Sequence, residues 1–366
     1  MTPLGPRIAA LVAAQGPISI AQYMALALHD AEGGYYATRD PFGAAGDFIT
    51  APEVSQMFGE MLGLWCVQAW HDQGQPKNSV LVELGPGRGT LMADVLRAAR
   101  VAPDFLAGLE VVLVEASPVL AAIQREKLKD IIAEAGGVSI RWATHFEAPE
   151  KNDGRPLFLL ANEFFDAMPV RQYVKTARGW CERMVVARND ELDFALAPIA
   201  TPASALPATC AGAPEGGVHE VAPGGLALAE GIARVVAHQG GAALLLDYGY
   251  DDASYFGETL QAVGGHEFAD VLADPGEDDL SAHVDFAALA AAGRHGGAAV
   301  HGPRAQGDFL TDLGLTARAE QLLKNNPKAA PALYAAVERL IAPAQMGTLF
   351  KVLAFLPLSA GKPPGF

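Results

Sequence analysis

Val80-Leu81-Val82-Glu83-Leu84-Gly85-Pro86-Gly87-Arg88-Gly89-Thr90 decides how the rest of the chain is read. An apolar run with one carboxylate passes into three alternating glycines, and a helical pattern follows from Leu91 to Arg100. Glycine lets the backbone bend tightly and admits a ligand where a Cβ would stand in the way. The start of the following helix leaves N–H groups without intrahelical partners. A dinucleotide-phosphate turn asks for G-x-G-x-x-G. Here the third glycine comes one residue early and Thr90 takes the sixth place. Glu83 would repel a pyrophosphate and suits a cation.

The pattern repeats outward from this segment. Apolar strands are predicted at Val80 to Leu84, Glu110 to Glu115, Val138 to Trp142, Pro156 to Asn162 and Ala242 to Asp247. Helical patterns separate them at Leu91 to Ala99, Pro118 to Lys129 and Leu226 to Gln239. Such alternation means an α/β fold with a mostly parallel sheet covered by helices on both faces. Between the fourth and fifth strands, Val170 to Val174, Trp180 to Ala187 and Leu192 to Ala197 read as short antiparallel strands. Pro198 to Gly225, rich in proline, alanine and glycine, reads as a surface loop. The chain therefore divides into an N-terminal helical extension with a lid-like loop (1–75), a core (76–170 and 226–366) with helical C-terminal additions, and an insertion (171–225).

In the extension, Pro3 to Ala14 and Ser19 to His29 read as helices, with Ser19 as an N-cap. The segment from Gly33 to Glu53 has no period and is a long irregular loop, of the kind that carries function. Glu53 to His71 reads as one amphipathic helix, with Thr50 and Glu53 in capping-box spacing. In the last third, helices are expected near Phe286 to Ala292, Phe309 to Leu313, Thr316 to Lys324 and Ala329 to Ala342, and a final strand at Thr348 to Phe355.

Bulk properties exclude several classes. The 366 residues carry a net charge of −16, and such a surface repels nucleic acid. No stretch is long and apolar enough to span a membrane, so no stable membrane insertion is expected. The three cysteines are scattered and the nine histidines form no cluster, so neither a disulfide framework nor a metal is expected. The first fifteen residues lack an apolar signal core and an arginine-rich transit composition, which fits a bacterial-type cytoplasmic protein or a mature organellar one. Trp65 and Trp70 read as core or as a face for a second copy, which leaves a homodimer open.

Ligands of open parallel sheets bind outside the carboxyl ends of the strands. Glu83, Gly85, Pro86, Gly87, Gly89 and Thr90 lie at the first such end. E-x-G-x-G-x-G is the form found in sites for S-adenosylmethionine (AdoMet), whose ammonium and sulfonium are cations. Glu115 ends the second strand about thirty residues beyond Gly85, where a carboxylate can accept both ribose hydroxyls. Asp47 and Thr50 are placed to close over the cofactor. Asn162-Glu163-Phe164-Phe165-Asp166-Ala167-Met168-Pro169 ends the fourth strand and puts two acids and two rings at the lip. Methyl transfer requires an aligned acceptor and excluded water. Glu163 or Asp166 could orient a guanidinium acceptor, with Asn162 beside them. Asp247 offers a further acid at the rim, and His266 is a candidate as well as a structural histidine.

Together these segments resemble the MidA-type AdoMet-dependent methyltransferases. The resemblance rests on Gly46-Asp47-Phe48-Ile49-Thr50-Ala51-Pro52-Glu53, the Val82 to Thr90 run, Ala161 to Val170, Leu246-Asp247-Tyr248-Gly249, Thr259-Leu260-Gln261-Ala262 with the trailing His266, Gln306 to Leu310, and Met346 to Lys351. It spans nearly the whole chain, with Met168 where leucine is more usual. It implies a class I, Rossmann-like core with AdoMet as the methyl donor. It also implies a protein arginine as acceptor, on a subunit of respiratory complex I in mitochondrial members, with the mitochondrial matrix as the location of eukaryotic relatives. A small-molecule N- or O-methyltransferase and a non-catalytic AdoMet-binding assembly chaperone stay open at this point. An NAD-dependent oxidoreductase is disfavoured by the glycine spacing and Glu83.

Overall fold

A computed structural model of the chain describes residues 4–38, 50–134, 137–147, 154–189, 191–265 and 267–366. Its centre is a sheet of seven principal strands: β1 (Val80–Leu84), β2 (Glu110–Val114), β3 (Ser139–Ala143), β4 (Leu157–Asn162), β5 (Gly241–Tyr250), β6 (Ala299–Ala305) and β7 (Phe350–Leu356). Their order across the sheet is β6-β7-β5-β4-β1-β2-β3. The strands from β3 to β5 are mutually parallel, whereas β7 runs antiparallel to both β5 and β6. The strand order reverses between β1 and β4, and the carboxyl ends at such a reversal frame a crevice.

Uninterrupted apolar runs suit strands covered on both faces. Successive side chains in a strand point to opposite faces. Leu81, Val111, Phe158, Leu160 and Leu244 accordingly pack with the helices Gln56–Asp72 and Thr90–Ala99 on one side. Val80, Val82, Val112, Leu159 and Leu245 pack with Pro223–Gln239 and Phe286–His295 on the other. Trp65 and Trp70 lie in the first of these layers, 1% and 5% exposed, so both are core residues.

A third apolar cluster joins the helices Leu4–Gln15 and Ile20–His29 to Val170, just before the inserted region, to Val185 within it, and to Leu260 and Leu280. Ser19 caps the second helix as its sequence suggests: its hydroxyl accepts from Gln22 N–H, and the Gln22 side chain accepts from Ser19 N–H at 2.9 Å. The inserted strands Arg171–Thr176, Gly179–Arg188 and Glu191–Leu196 form antiparallel ladders.

Three expectations need correction. The segment 198–225 is not all loop, because Val218–Val221 pairs antiparallel with Arg171 to Val174. Four residues between glycines and a proline are too few to show a period. Second, the helix expected from Glu53 to His71 is two helices, Ala51–Val54 and Gln56–Asp72, broken where Ser55 is extended (φ −162°, ψ 136°) and its hydroxyl caps Met57 N–H. Third, Thr50 makes no side-chain capping bond. The Glu53 carboxylate that would complete a capping box instead accepts from the Thr90 hydroxyl. Two further features escaped the pattern reading: β6, and a small sheet of Gln261–Gly264, Glu267–Ala269 and Asp279–Ser281.

Candidate active site

A cleft opens at the carboxyl ends of β1 and β4, where open parallel sheets take their ligands. Its walls come from three places: Thr50, Pro52 and Glu53; Glu83, Gly85 to Arg88, Thr90 and Leu91; and Asn162 with Glu163. Gly85, Gly87 and Gly89 all take positive φ, at 60°, 53° and 79°. A Cβ on Gly85 would stand 2.9 Å from Phe164 Cδ2, so both the conformation and the space call for glycine there. Gly89 is the N-cap of Thr90–Ala99.

Glu83 is 3% exposed. Burial pushes its pKa up to about 8, and the nearby Glu115 adds to the rise. Its Oε2 has no hydrogen-bond partner among the described residues, and neither does Asn162 Oδ1. Both residues line the cleft, and a buried acceptor left without a donor is costly. The cleft therefore presents two unpaired acceptors, one anionic when deprotonated, to whatever fills it. Those acceptors fit the ammonium and N–H groups of AdoMet, which donate. When bound, AdoMet supplies an electrophilic methyl group on a sulfonium.

Glu163 also lines the cleft, with a positive φ of 50° unusual for a side chain of its size. Its Oε1 accepts from Ala51 N–H at 3.0 Å and from Asn162 Nδ2 at 3.1 Å. These donors lower its pKa and Asp166 raises it, but burial dominates and pushes it up to about 7. Among the expected site residues, Glu83, Gly85, Pro86, Gly87, Thr90, Thr50, Asn162 and Glu163 thus share one cleft.

Others stand elsewhere. Glu115 sits at the tip of β2, outside the cleft wall, accepting from Ser117 N–H at 2.7 Å and Gln124 Nε2 at 3.0 Å. Thr90 lines the cleft, but its hydroxyl is already engaged, donating to Glu53 and accepting from the Lys127 ammonium. Asp166 is 7% exposed and lies behind the lip. Its Oδ2 accepts from the Tyr248 hydroxyl at 2.6 Å and its Oδ1 from Ala167 N–H at 2.9 Å. Burial raises its pKa. Asp247 is not at the rim: it is 1% exposed. Its Oδ2 accepts from the N–H groups of Phe164, Phe165 and Asp166 at 3.1, 2.9 and 3.2 Å, which shapes the turn after β4. Asp47 and His266 lie outside the described residues.

The sequence reading missed Gln124. Its Nε2 donates to Gly87 O at 2.7 Å as well as to Glu115, and its Oε1 accepts from Trp142 Nε1 at 2.9 Å. One buried amide thereby ties the glycine bend to the tips of β2 and β3. Among the described residues no group of three His, Cys, Asp or Glu side chains could hold a metal ion, and no helix is long and apolar enough to cross a membrane.

The seven-strand order, the glycine bend and the unpaired acceptors define an AdoMet-dependent methyltransferase of the Rossmann-like class. Comparison with known proteins agrees. The profile of a family described as S-adenosyl-L-methionine-dependent methyltransferases matches residues 61–304. The mouse protein arginine methyltransferase NDUFAF7, mitochondrial, is 37% identical over 98% of this chain and 85% of its own length. The Drosophila melanogaster homolog is likewise 37% identical, over 97% of this chain and 85% of its own. A COG1565 superfamily member from Burkholderia thailandensis, crystallised with S-adenosyl-homocysteine, superposes with a TM-score of 0.88 at 32% identity, covering 99% of this chain and 94% of that one. The chain belongs to this MidA-type, NDUFAF7-like family of AdoMet-dependent methyltransferases.

Proposed function

We propose that the chain transfers the methyl group of AdoMet to an arginine nitrogen of a protein, and that a respiratory complex I subunit is the acceptor. The observation that carries this reading is Glu163, a carboxylate on the cleft wall held in place by Ala51 N–H and Asn162 Nδ2. Guanidinium keeps its proton at neutral pH, so an arginine acceptor needs a carboxylate that orients it and localises its charge on one nitrogen. Glu163 suits that role by type and place. Asp166 acts through its neighbours, holding the turn by its bond to Tyr248. The relatives named as protein arginine methyltransferases support the acceptor class. In a bacterial cell the reaction would take place in the cytoplasm.

The test is incubation with methyl-labelled AdoMet and purified complex I subunits or cell extract, followed by mapping of the labelled residue. Label on arginine is expected. Label on a small molecule, or on a protein residue other than arginine, overturns the reading. Glu163→Gln is expected to cut transfer at least a hundredfold while AdoMet affinity changes by less than about threefold, because the amide keeps the shape and loses the charge.

A further inference from the structure

A second, small cavity lies behind the β4 turn, between the inserted region and the starts of the helices Pro223–Gln239 and Phe286–His295. Its wall is largely apolar, with Phe165, Val170, Leu226 and Leu289 among the lining side chains. His219 also lines it, is 9% exposed, and has a buried Nε2 with no hydrogen-bond partner among the described residues. The ring sits among Tyr173, Trp180 and Phe256, with centroids 6.5, 6.3 and 6.5 Å away. Burial holds its pKa below the usual histidine value, so the imidazole is neutral near pH 7. Its Nε2 then accepts a hydrogen bond in one tautomer and donates one in the other.

Two acids in the wall narrow the choice of ligand. Glu220 is spent internally, accepting from Gln172, Thr259 and Leu260, and Asp285 caps the Phe286–His295 helix through Ala288 N–H. Their presence disfavours an anion, and the apolar wall disfavours a charged group of either sign. An uncharged, mostly apolar ligand with one group able both to give and to accept a hydrogen bond suits this wall, whose other polar side chains are Tyr250 and His283.

We propose that this cavity is a binding site for a phenol-type ring, its hydroxyl pairing with His219 Nε2. The ring belongs either to a free small molecule or to a tyrosine of a protein acceptor. The site communicates with the cofactor cleft through packed rings. Phe165, on its wall, meets Phe164 edge-on at 5.6 Å between centroids, and Phe164 lies against Gly85. The proposal does not depend on the acceptor being arginine.

Saturation-transfer NMR on the full chain with p-cresol tests it, with toluene and benzoate as controls lacking the hydroxyl and carrying a charge. Binding of p-cresol is expected, weakened about tenfold or more for either control and in His219→Phe, the cost of one hydrogen bond. Ala288→Trp, which fills the cavity from its own wall, is expected to abolish it. Retained AdoMet binding in both variants shows that they fold. A tyrosine-containing peptide that displaces p-cresol assigns the ring to a side chain, whereas p-cresol binding with the peptide excluded assigns it to a free molecule. Absence of p-cresol binding at millimolar concentration, or equal affinity in wild type and both variants, overturns the proposal.

Discussion

At the residue scale the chemistry turns on Glu83. An acid whose pKa stands at about 8 in the folded chain, against an ordinary value of 4.5, keeps its proton where the unfolded chain has lost it. Its contribution to stability is complete below about pH 4.5 and is lost as the pH rises through 8. Unfolding in urea between pH 5.5 and 8.5 should show falling stability without ligand, and Glu83→Gln should make the decline shallower. A cationic ligand reverses the preference, because it favours the carboxylate. AdoMet affinity measured by calorimetry should therefore rise roughly tenfold from pH 6 to 7.5, with a proton released, and Glu83→Gln should weaken binding and flatten the slope. Gly85→Ala meets two obstacles, a positive φ and Phe164 at 2.9 Å from the new Cβ. It should cost about 1–2 kcal/mol for the backbone alone, read as a lower Tm, and weaken AdoMet binding. Phe164→Leu should relieve the clash without restoring the backbone.

At the scale of elements, what could be read was set by length and burial. β1, β2, β4 and β5 are mostly apolar runs of five or more residues, the length of a strand covered on both faces. Val218–Val221 is short and flanked by turn residues, so its pairing with Arg171 to Val174 is decided by tertiary contact. β6 contains Gly302 and Pro303, which read as punctuation, and its ladder with β7 shifts register between His301 and Arg304. The break at Ser55 has a similar origin, since Glu53 finds Thr90 rather than its own helix start. Gln124 belongs to a plain helical run, and nothing local marks it. Its amide nevertheless holds the glycine bend, Glu115 and Trp142 together. Gln124→Ala leaves Trp142 Nε1 and the bend unsupported. It should cost about 1–3 kcal/mol of stability, and AdoMet affinity should fall although Gln124 does not line the cleft.

For the whole molecule, three apolar clusters divide the labour. Two sandwich the sheet and fix the strand ends that bear Glu83, Asn162 and Glu163, and the third joins the first two helices to the inserted strands. The cleft is completed by the segment just before Gln56–Asp72, so residues far apart in sequence meet only in the assembled fold. That explains the division in the site. The glycine bend and the Asn162–Glu163 lip were legible because each is a strand end with polar residues out of place. The burial of Asp247, its hold on three successive N–H groups, and the Asp166–Tyr248 bond were not, because they depend on β4 and β5 lying side by side. Removing residues 4–29 should uncover Val185, Leu260 and Leu280, and gel filtration should then show aggregated protein rather than a soluble core.

The central claim is that AdoMet lodges against the Gly85 bend and supplies the donors that Glu83 and Asn162 lack. A crystal structure of the protein soaked with AdoMet tests it most directly. The expected result is ligand density along Gly85 to Gly89 with donors on Glu83 Oε2 and Asn162 Oδ1. Density at another strand end, or a filled bend in which both acceptors stay unpaired, would contradict it.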